Sequence, residues 1–204
     1  MNNPPNKVTD QILLDAFVAF VTTHTHPDVL RFRPVILEWG HGWADVEPVH
    51  LPASDTFAQA LSLADAQTAT ILGLFVQHRA TLRWEQSYSK ADRAVSVEML
   101  SNYGYAEIVG KNGPFFSARV RAGVAVYGPH LVYPPHRHQA EEIYAVLAGT
   151  ATCQIENEEP ATRGPGDILY HAPQARHGLQ TGEHPLAIAY LWQAGDLREK
   201  PSFE

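Results

Sequence analysis

The chain has 204 residues, and 45% of them are hydrophobic, which is enough for one domain with a substantial core. Its formal charge of −7 argues against a nucleic acid or an anionic membrane surface as partner, and its single cysteine, Cys153, excludes an internal disulfide. No stretch approaches the ~20 apolar residues that span a bilayer, and residues 1–7 lack the organisation of a signal peptide. We therefore expect a cytoplasmic protein.

Helices are predicted in the first part of the chain. Apolar residues recur at helical spacing from Thr9 to Thr23, with Thr9 as the N-cap, and the helix is expected to end near Pro27. Residues 27–53 contain prolines and glycines without a period, which predicts a long loop with one short helix. A second helical region is predicted from Ser54 or Asp55 to Arg79, with a break near Asp65.

Beyond Leu100 the chain consists of short β-branched and aromatic segments separated by glycine and proline. Such segments predict an antiparallel sandwich or barrel, and helices followed by strands predict an α+β fold, mainly β, with helices on one flank. We predict a single domain, with a helical region at 1–82 packed on a β-barrel at 83–204. The predicted strands are Tyr103–Val109, Ala118–Tyr127, Glu142–Leu147, Thr150–Glu156, Asp167–Tyr170 and Leu186–Gln193.

The stretch from residue 133 to 149 has the spacing of a metal site. Side chains two apart in an extended chain point to the same face, so His136 and His138 can converge on one point. Glu142 and Tyr144 share a face on the next segment, and the stretch is therefore interpreted as a metal site on a β-hairpin. These ligands suit a divalent transition metal without choosing between zinc, iron, manganese, cobalt and nickel. Glu141 has the opposite parity and is expected to face outward.

A second segment, residues 164–177, supplies another strand, a proline turn and a third histidine, His177. The two stretches resemble the two motifs of the cupins. The first motif matches over residues 136–149, whereas the second departs from the pattern at its glycine and in the spacing of its histidine. The resemblance implies a single cupin barrel (a double-stranded β-helix or jelly roll) and His177 as a metal ligand. The turn at Pro173 is expected to direct His171 away from the site.

A closer resemblance covers about two thirds of the chain. The stretch from Trp84 to Gly149, above all its Glu-Glu-Ile-Tyr segment, and the Ala-Tyr-Leu-Trp segment that ends at Trp192 look like the cupin-type dimethylsulfoniopropionate lyases. The resemblance implies β-elimination of a small zwitterion, a sulfonium carboxylate, to dimethyl sulfide and acrylate. It implies that Tyr144 abstracts the α-proton. The metal ligands that it implies are His136, His138, Glu142 and His177.

Aromatic side chains are the predicted contacts of the substrate. Tyr133 and Trp192 match positions that line the family's pocket, and aromatic faces attract a cation by about 0.5–2 kcal/mol per ring. We predict that both face the metal cavity, with Tyr105 and Trp84 as further candidates. Because the ordinary pKa of tyrosine is about 10, a catalytic tyrosine needs a cation nearby. Tyr133 is the second candidate for the base after Tyr144.

Other functions use the same ligands. A cupin dioxygenase or isomerase with iron or manganese is one alternative, and a small-molecule-binding cupin without turnover is another. A base beside an aromatic cavity favours the lyase over the binding protein. Cupin barrels often pair through their outer strands, so the resemblance also implies a homodimer.

Overall fold

The computed structural model describes residues 5–39 and 42–203, and five α-helices lie within them. The first helix begins at Pro5, so the prediction of Thr9 as its N-cap is wrong; proline is favoured in the first turn of a helix. The predicted break near Asp65 is confirmed, because its carboxylate accepts the backbone N–H groups of Gln67 and Thr68 at 2.9 and 2.8 Å. The helices are α1 (Pro5–Thr23), α2 (Pro27–Leu30), α3 (Pro52–Ala60), α4 (Ala69–His78) and α5 (Val97–Asn102), with 3₁₀ turns at Arg33–Glu38, Leu61–Leu63 and Arg79–Thr81.

Each predicted strand is present, and shorter strands occur that the sequence pattern did not predict. One of these is the segment with Pro134 and Pro135, which lies at the edge of its sheet, where a missing N–H is tolerated. The strands are β1 (Trp84–Glu85), β2 (Tyr103–Gly110), β3 (Phe115–Phe116), β4 (Val120–Tyr127), β5 (Val132–His136), β6 (Glu141–Ala148), β7 (Ala151–Ile155), β8 (Ala161–Arg163), β9 (Ile168–His171), β10 (His177–Thr181) and β11 (Leu186–Gln193).

In the described part of the chain these strands form two sheets. The larger has the order β1-β2-β4-β11-β6-β9, with β3 beside β2, and the smaller has the order β5-β10-β7-β8. All neighbours are antiparallel except β2 and β3. The predicted fold class is confirmed: a mainly β cupin jelly roll carries N-terminal helices on one flank. The boundary between residues 82 and 83 stays a prediction.

Alternation along the larger sheet divides its side chains between two cores. On β6, Ile143, Ala145 and Leu147 pack with the helices in one cluster, whereas Tyr144 and Val146 belong to a second cluster between the two sheets. The helices thus cover the outer face of the sheet and leave its inner face to the site. Within residues 5–39 and 42–203, no helix combines the length and apolarity that crossing a membrane requires.

Candidate active site

The metal-site stretch does not fold as a hairpin. β5 pairs with β10 in the smaller sheet, whereas β6 lies between β9 and β11 in the larger one, so the predicted hairpin is wrong. The turn between His138 and Glu141 carries the chain from one sheet to the other. His136 is the direct partner of His177 across β5 and β10. The histidines and Glu142 therefore approach one another across the space between the sheets.

The four predicted ligands converge in this space. Nε2 of His138 lies 3.1 Å from Oε2 of Glu142, and Nε2 of His177 lies 3.2 Å from the same oxygen. One ligand atom from each of His136, His138 and His177 lies within 4.8 Å of the others. All four side chains are buried. The structure thus brings together the whole predicted set.

Backbone carbonyls set the tautomer of the three histidines. Nδ1 of each ring lies 3.0 Å from a carbonyl oxygen, which can only accept a hydrogen bond. Nδ1 therefore carries the hydrogen, and Nε2 turns a lone pair toward the centre. Nε2 of His177 has no hydrogen-bond partner in the described part of the chain. Lone pairs that face the carboxylate of Glu142 this closely need a cation between them, so the residues fit a metal ion.

Burial and contacts set the charges of these groups in the metal-free protein. Burial alone would raise the pKa of Glu142, but its contacts with His138, His171 and His177 outweigh burial and hold that pKa well below its usual range. Burial, together with the neighbouring His177, lowers the pKa of His136. A carboxylate and neutral imidazoles are the forms that bind metal ions.

His171 lies inside the site, so the prediction that Pro173 turns it away is wrong. It is the direct partner of Glu142 across β6 and β9, and its Nδ1 lies 3.1 Å from Oε2 of Glu142. Its ring stacks on that of His177, with centroids 3.9 Å apart. Burial lowers its pKa to about 4. Sequence spacing missed this residue because the contact depends on the register between two strands.

Tyr133 and Trp192 face the cavity, as predicted. The ring of Tyr133 stacks on His136 with centroids 4.1 Å apart, and the ring of Trp192 stacks on His138 at 4.0 Å. Trp192 is the direct partner of Glu142 across β6 and β11, and its Nε1–H donates to Oε1 of Glu142. Both aromatic residues therefore contact the predicted metal ligands directly.

The site opens into a cavity of about 240 Å³. Trp84 does not line it: this residue packs on Phe57 on the helix side of the sheet, with ring centroids 5.1 Å apart, so its predicted place in the cavity is wrong. β1 pairs with β2 at the sheet edge and turns Trp84 toward the helices. The aromatic residues that line the cavity are Tyr103, Tyr105, Tyr127, Tyr133, Tyr144, Tyr190 and Trp192.

Two hydroxyl groups are candidates for the base. The hydroxyl of Tyr144 accepts a hydrogen bond from Tyr127 at 3.3 Å, and its ring stands perpendicular to His171. The hydroxyl of Tyr133 pairs with that of Tyr88 at 2.6 Å. Burial raises the pKa of both Tyr144 and Tyr133, and the carboxylate of Glu142 raises that of Tyr144 further. Both are therefore neutral in the metal-free protein.

Glu141 points away from the site, as predicted. Its carboxylate accepts hydrogen bonds from Arg31 at 2.8 Å, from Tyr170 at 3.0 Å and from Gln193 at 2.6 Å. These contacts lie on the helix side and tie β6 to its surroundings. They fix the strand that carries Glu142 and Tyr144.

A sequence profile of the dimethylsulfoniopropionate lyases matches residues 37–188. The chain belongs to this family. The dimethylsulfoniopropionate lyase DddQ of Ruegeria pomeroyi is 31% identical over 156 residues, 76% of each protein. A putative lyase of the family, DddL of Cereibacter sphaeroides, is 33% identical over 119 residues, which are 57% of this chain and 48% of DddL.

Solved structures of dimethylsulfoniopropionate lyases match nearly the whole chain. The crystal structure of DddQ from Ruegeria pomeroyi has a TM-score of 0.84 at 28% identity and covers 95% of both chains. A structure from work on the lyases RdDddP and RnDddQII has a TM-score of 0.87 at 26% identity, over 98% of this chain and 99% of that one. The N-terminal helices, which the profile covers only in part, therefore belong to the shared fold.

Proposed function

We propose that this protein is a metal-dependent carbon–sulfur lyase that cleaves dimethylsulfoniopropionate to dimethyl sulfide and acrylate. The observation that carries the proposal is the convergence of three imidazoles and one carboxylate beside buried tyrosines, in a chain of this family. His136, His138, Glu142 and His177 would hold the metal. The zinc, iron, manganese, cobalt and nickel ions all suit this set. When bound, the metal supplies a Lewis acid that stabilises negative charge developing on the substrate's carboxylate.

Tyr144 is our candidate for the general base. Tyr144 lines the cavity on the same strand face as Glu142, where a cation held by the four ligands would favour the phenolate. The phenolate takes the proton from the carbon next to the carboxylate, and the electron pair of that C–H bond forms the new double bond. The bond to sulfur breaks at the same time, and its electrons leave with neutral dimethyl sulfide. Tyr127 fixes the hydroxyl of Tyr144 by the hydrogen bond at 3.3 Å.

Tyr133 is the second candidate for this role. Its hydroxyl is already paired with Tyr88, and its ring covers His136. This arrangement supports a role in shaping the cavity and in excluding water from the ligands. Buried tyrosine rings also offer faces to the sulfonium cation.

Headspace measurement of dimethyl sulfide from purified, metal-loaded protein tests the proposal. Wild-type protein is expected to release dimethyl sulfide and acrylate in equal amounts. Tyr144→Phe should keep its metal and lose turnover by about 100-fold or more, the scale of general-base catalysis. A Tyr144→Phe variant that keeps both metal and turnover would move the base to Tyr133.

Protein that holds its metal and releases no dimethyl sulfide would instead favour a dioxygenase, an isomerase or a binding cupin. The homodimer and the cytoplasmic location stay predictions.

A further inference from the structure

An arginine lies on the wall of the active-site cavity, where its orientation is fixed. Arg121 is the direct partner of Trp192 across β4 and β11, and its side chain is 16% exposed. Its Nε–H donates to Oε2 of Glu107 at 2.6 Å. The same carboxylate accepts the backbone N–H groups of Asn112 and Gly113 at 2.6 and 3.2 Å. The guanidinium is therefore charge-compensated and held rigidly.

Arg121 keeps hydrogen-bonding capacity for a ligand. A guanidinium has five N–H donors in a planar fork. The acceptors that the described residues offer it are the carboxylate of Glu107, the carbonyl of Leu197 at 3.4 Å and the hydroxyl of Tyr105. These are fewer than the donors, and the side chain lines the cavity. An acceptor in the cavity can use the remaining N–H groups.

A second donor lies close by and lacks a partner. Tyr190 lines the same cavity, and its buried hydroxyl has no hydrogen-bond partner in the described part of the chain. Its ring stands edge-on to Tyr105 at 6.1 Å, next to Arg121. Buried hydroxyl groups are almost always hydrogen-bonded, so an orphan beside a cavity points to a ligand atom.

We propose that Arg121 and Tyr190 bind the carboxylate of the substrate, and that of its unsaturated acid product, by charge-assisted hydrogen bonds. The proposal rests on the proposed function for the identity of the substrate. Since Tyr190 is the direct partner of Tyr144 across β6 and β11, a carboxylate held by Tyr190 brings the adjacent carbon close to the candidate base.

The same arrangement orients the cationic end of the substrate. The guanidinium carbon of Arg121 already lies 5.3 Å from the ring centroid of Trp192 and 5.7 Å from that of Tyr105. A second cation on these rings would meet like charge. The sulfonium is thereby directed to the rings of Tyr103, Tyr127 and Tyr133, whose centroids lie 5.1 to 5.6 Å apart.

Binding of acrylate and of trimethylsulfonium, each measured alone by calorimetry on metal-loaded protein, tests the subsite. Tyr190→Phe removes a hydroxyl without a protein partner, so its thermal stability should equal or exceed that of the wild type. Acrylate should bind about tenfold more weakly to Tyr190→Phe and about 100-fold more weakly to Arg121→Gln. Trimethylsulfonium, which lacks a carboxylate, should bind Tyr190→Phe as tightly as the wild type and Arg121→Gln at least as tightly, because the like charge near Trp192 and Tyr105 is then gone.

Arg121→Gln leaves the buried carboxylate of Glu107 without its counter-charge, so the double variant Arg121→Gln/Glu107→Gln serves as the control for folding. It should restore stability and still bind acrylate as weakly as the single variant. Acrylate affinity within about twofold of wild type in Tyr190→Phe and Arg121→Gln would overturn the proposal. Parallel loss of both probes would also overturn it. Acrylate binding that depends on Arg121, without release of dimethyl sulfide, would refute the proposed function and leave the subsite standing.

Discussion

Replacing His171 by alanine separates two ways of building the metal centre. Ligand atoms of His136, His138 and His177 lie within 4.8 Å of one another, and so do those of Glu142, His171 and His177. We assign the first group and Glu142 to the metal. His171 then orients the carboxylate of Glu142 through its Nδ1, 3.1 Å from Oε2. On this assignment His171 acts on the metal only through Glu142.

The expected magnitude follows from that one contact. A hydrogen bond to a buried charged group contributes about 1.5–3 kcal/mol, and loss of a residue that orients a ligand weakens metal binding about 10- to 100-fold. His171→Ala should therefore bind zinc about 10- to 100-fold more weakly than wild type. His171→Asn places an amide donor near the position of Nδ1 and should recover most of the affinity. His138→Ala removes a direct ligand and should cost more than His171→Ala.

Competition with a zinc chelator on metal-stripped protein measures these affinities. If His171→Ala is as damaging as His138→Ala and His171→Asn gives no recovery, His171 is a direct ligand, which contradicts the assignment. Unchanged zinc affinity in His171→Ala would show that His171 does not orient Glu142, which also contradicts the assignment. Circular dichroism of each variant, with and without zinc, controls for folding.

Three further predictions concern the fold and its ionisation. Because burial lowers the pKa of His171 from 6.5 to about 4, the unfolded metal-free chain takes up a proton in this pH window that the folded chain does not. In urea unfolding of metal-free protein, His171 should therefore lower the free energy of unfolding by about 3 kcal/mol as the pH falls from 6.5 to 4. The dependence of this free energy on pH should be flatter in His171→Asn, and the same dependence in both proteins would contradict the prediction. Trp84→Ala should destabilise the fold by about 3–5 kcal/mol in denaturant titration while the folded fraction keeps its turnover, and an unchanged unfolding midpoint would argue against its buried place beside Phe57. Burial raises the pKa of the Cys153 thiol to about 11, so a thiol reagent should label it only on unfolding; stoichiometric labelling of the folded protein would disprove this.

The sequence predicted the parts of the site that local spacing encodes. His136, His138 and Glu142 lie a few residues apart, and strand alternation alone distinguishes the inward Glu142 from the outward Glu141. The motif resemblance added His177. The order of helices and strands was sufficient for the α+β class, because helices that precede an antiparallel sheet pack on one of its faces, whereas the cupin barrel came from the motif resemblance.

Local spacing does not predict contacts between strands that are distant along the chain. His171 joins the site through the register of β6 and β9, and Arg121 reaches the cavity through the register of β4 and β11. The hairpin prediction was wrong for the same reason, since spacing along the chain does not determine which sheet each strand joins. Trp84 was misplaced because an aromatic residue at a sheet edge packs equally well on either face.

Release of dimethyl sulfide as a function of metal content tests the central claim most directly. Protein stripped of metal and then titrated with a divalent metal should release dimethyl sulfide from dimethylsulfoniopropionate in proportion to the metal bound at His136, His138, Glu142 and His177. His138→Ala should show no such dependence. Equal release from the stripped and the metal-loaded protein would contradict the account.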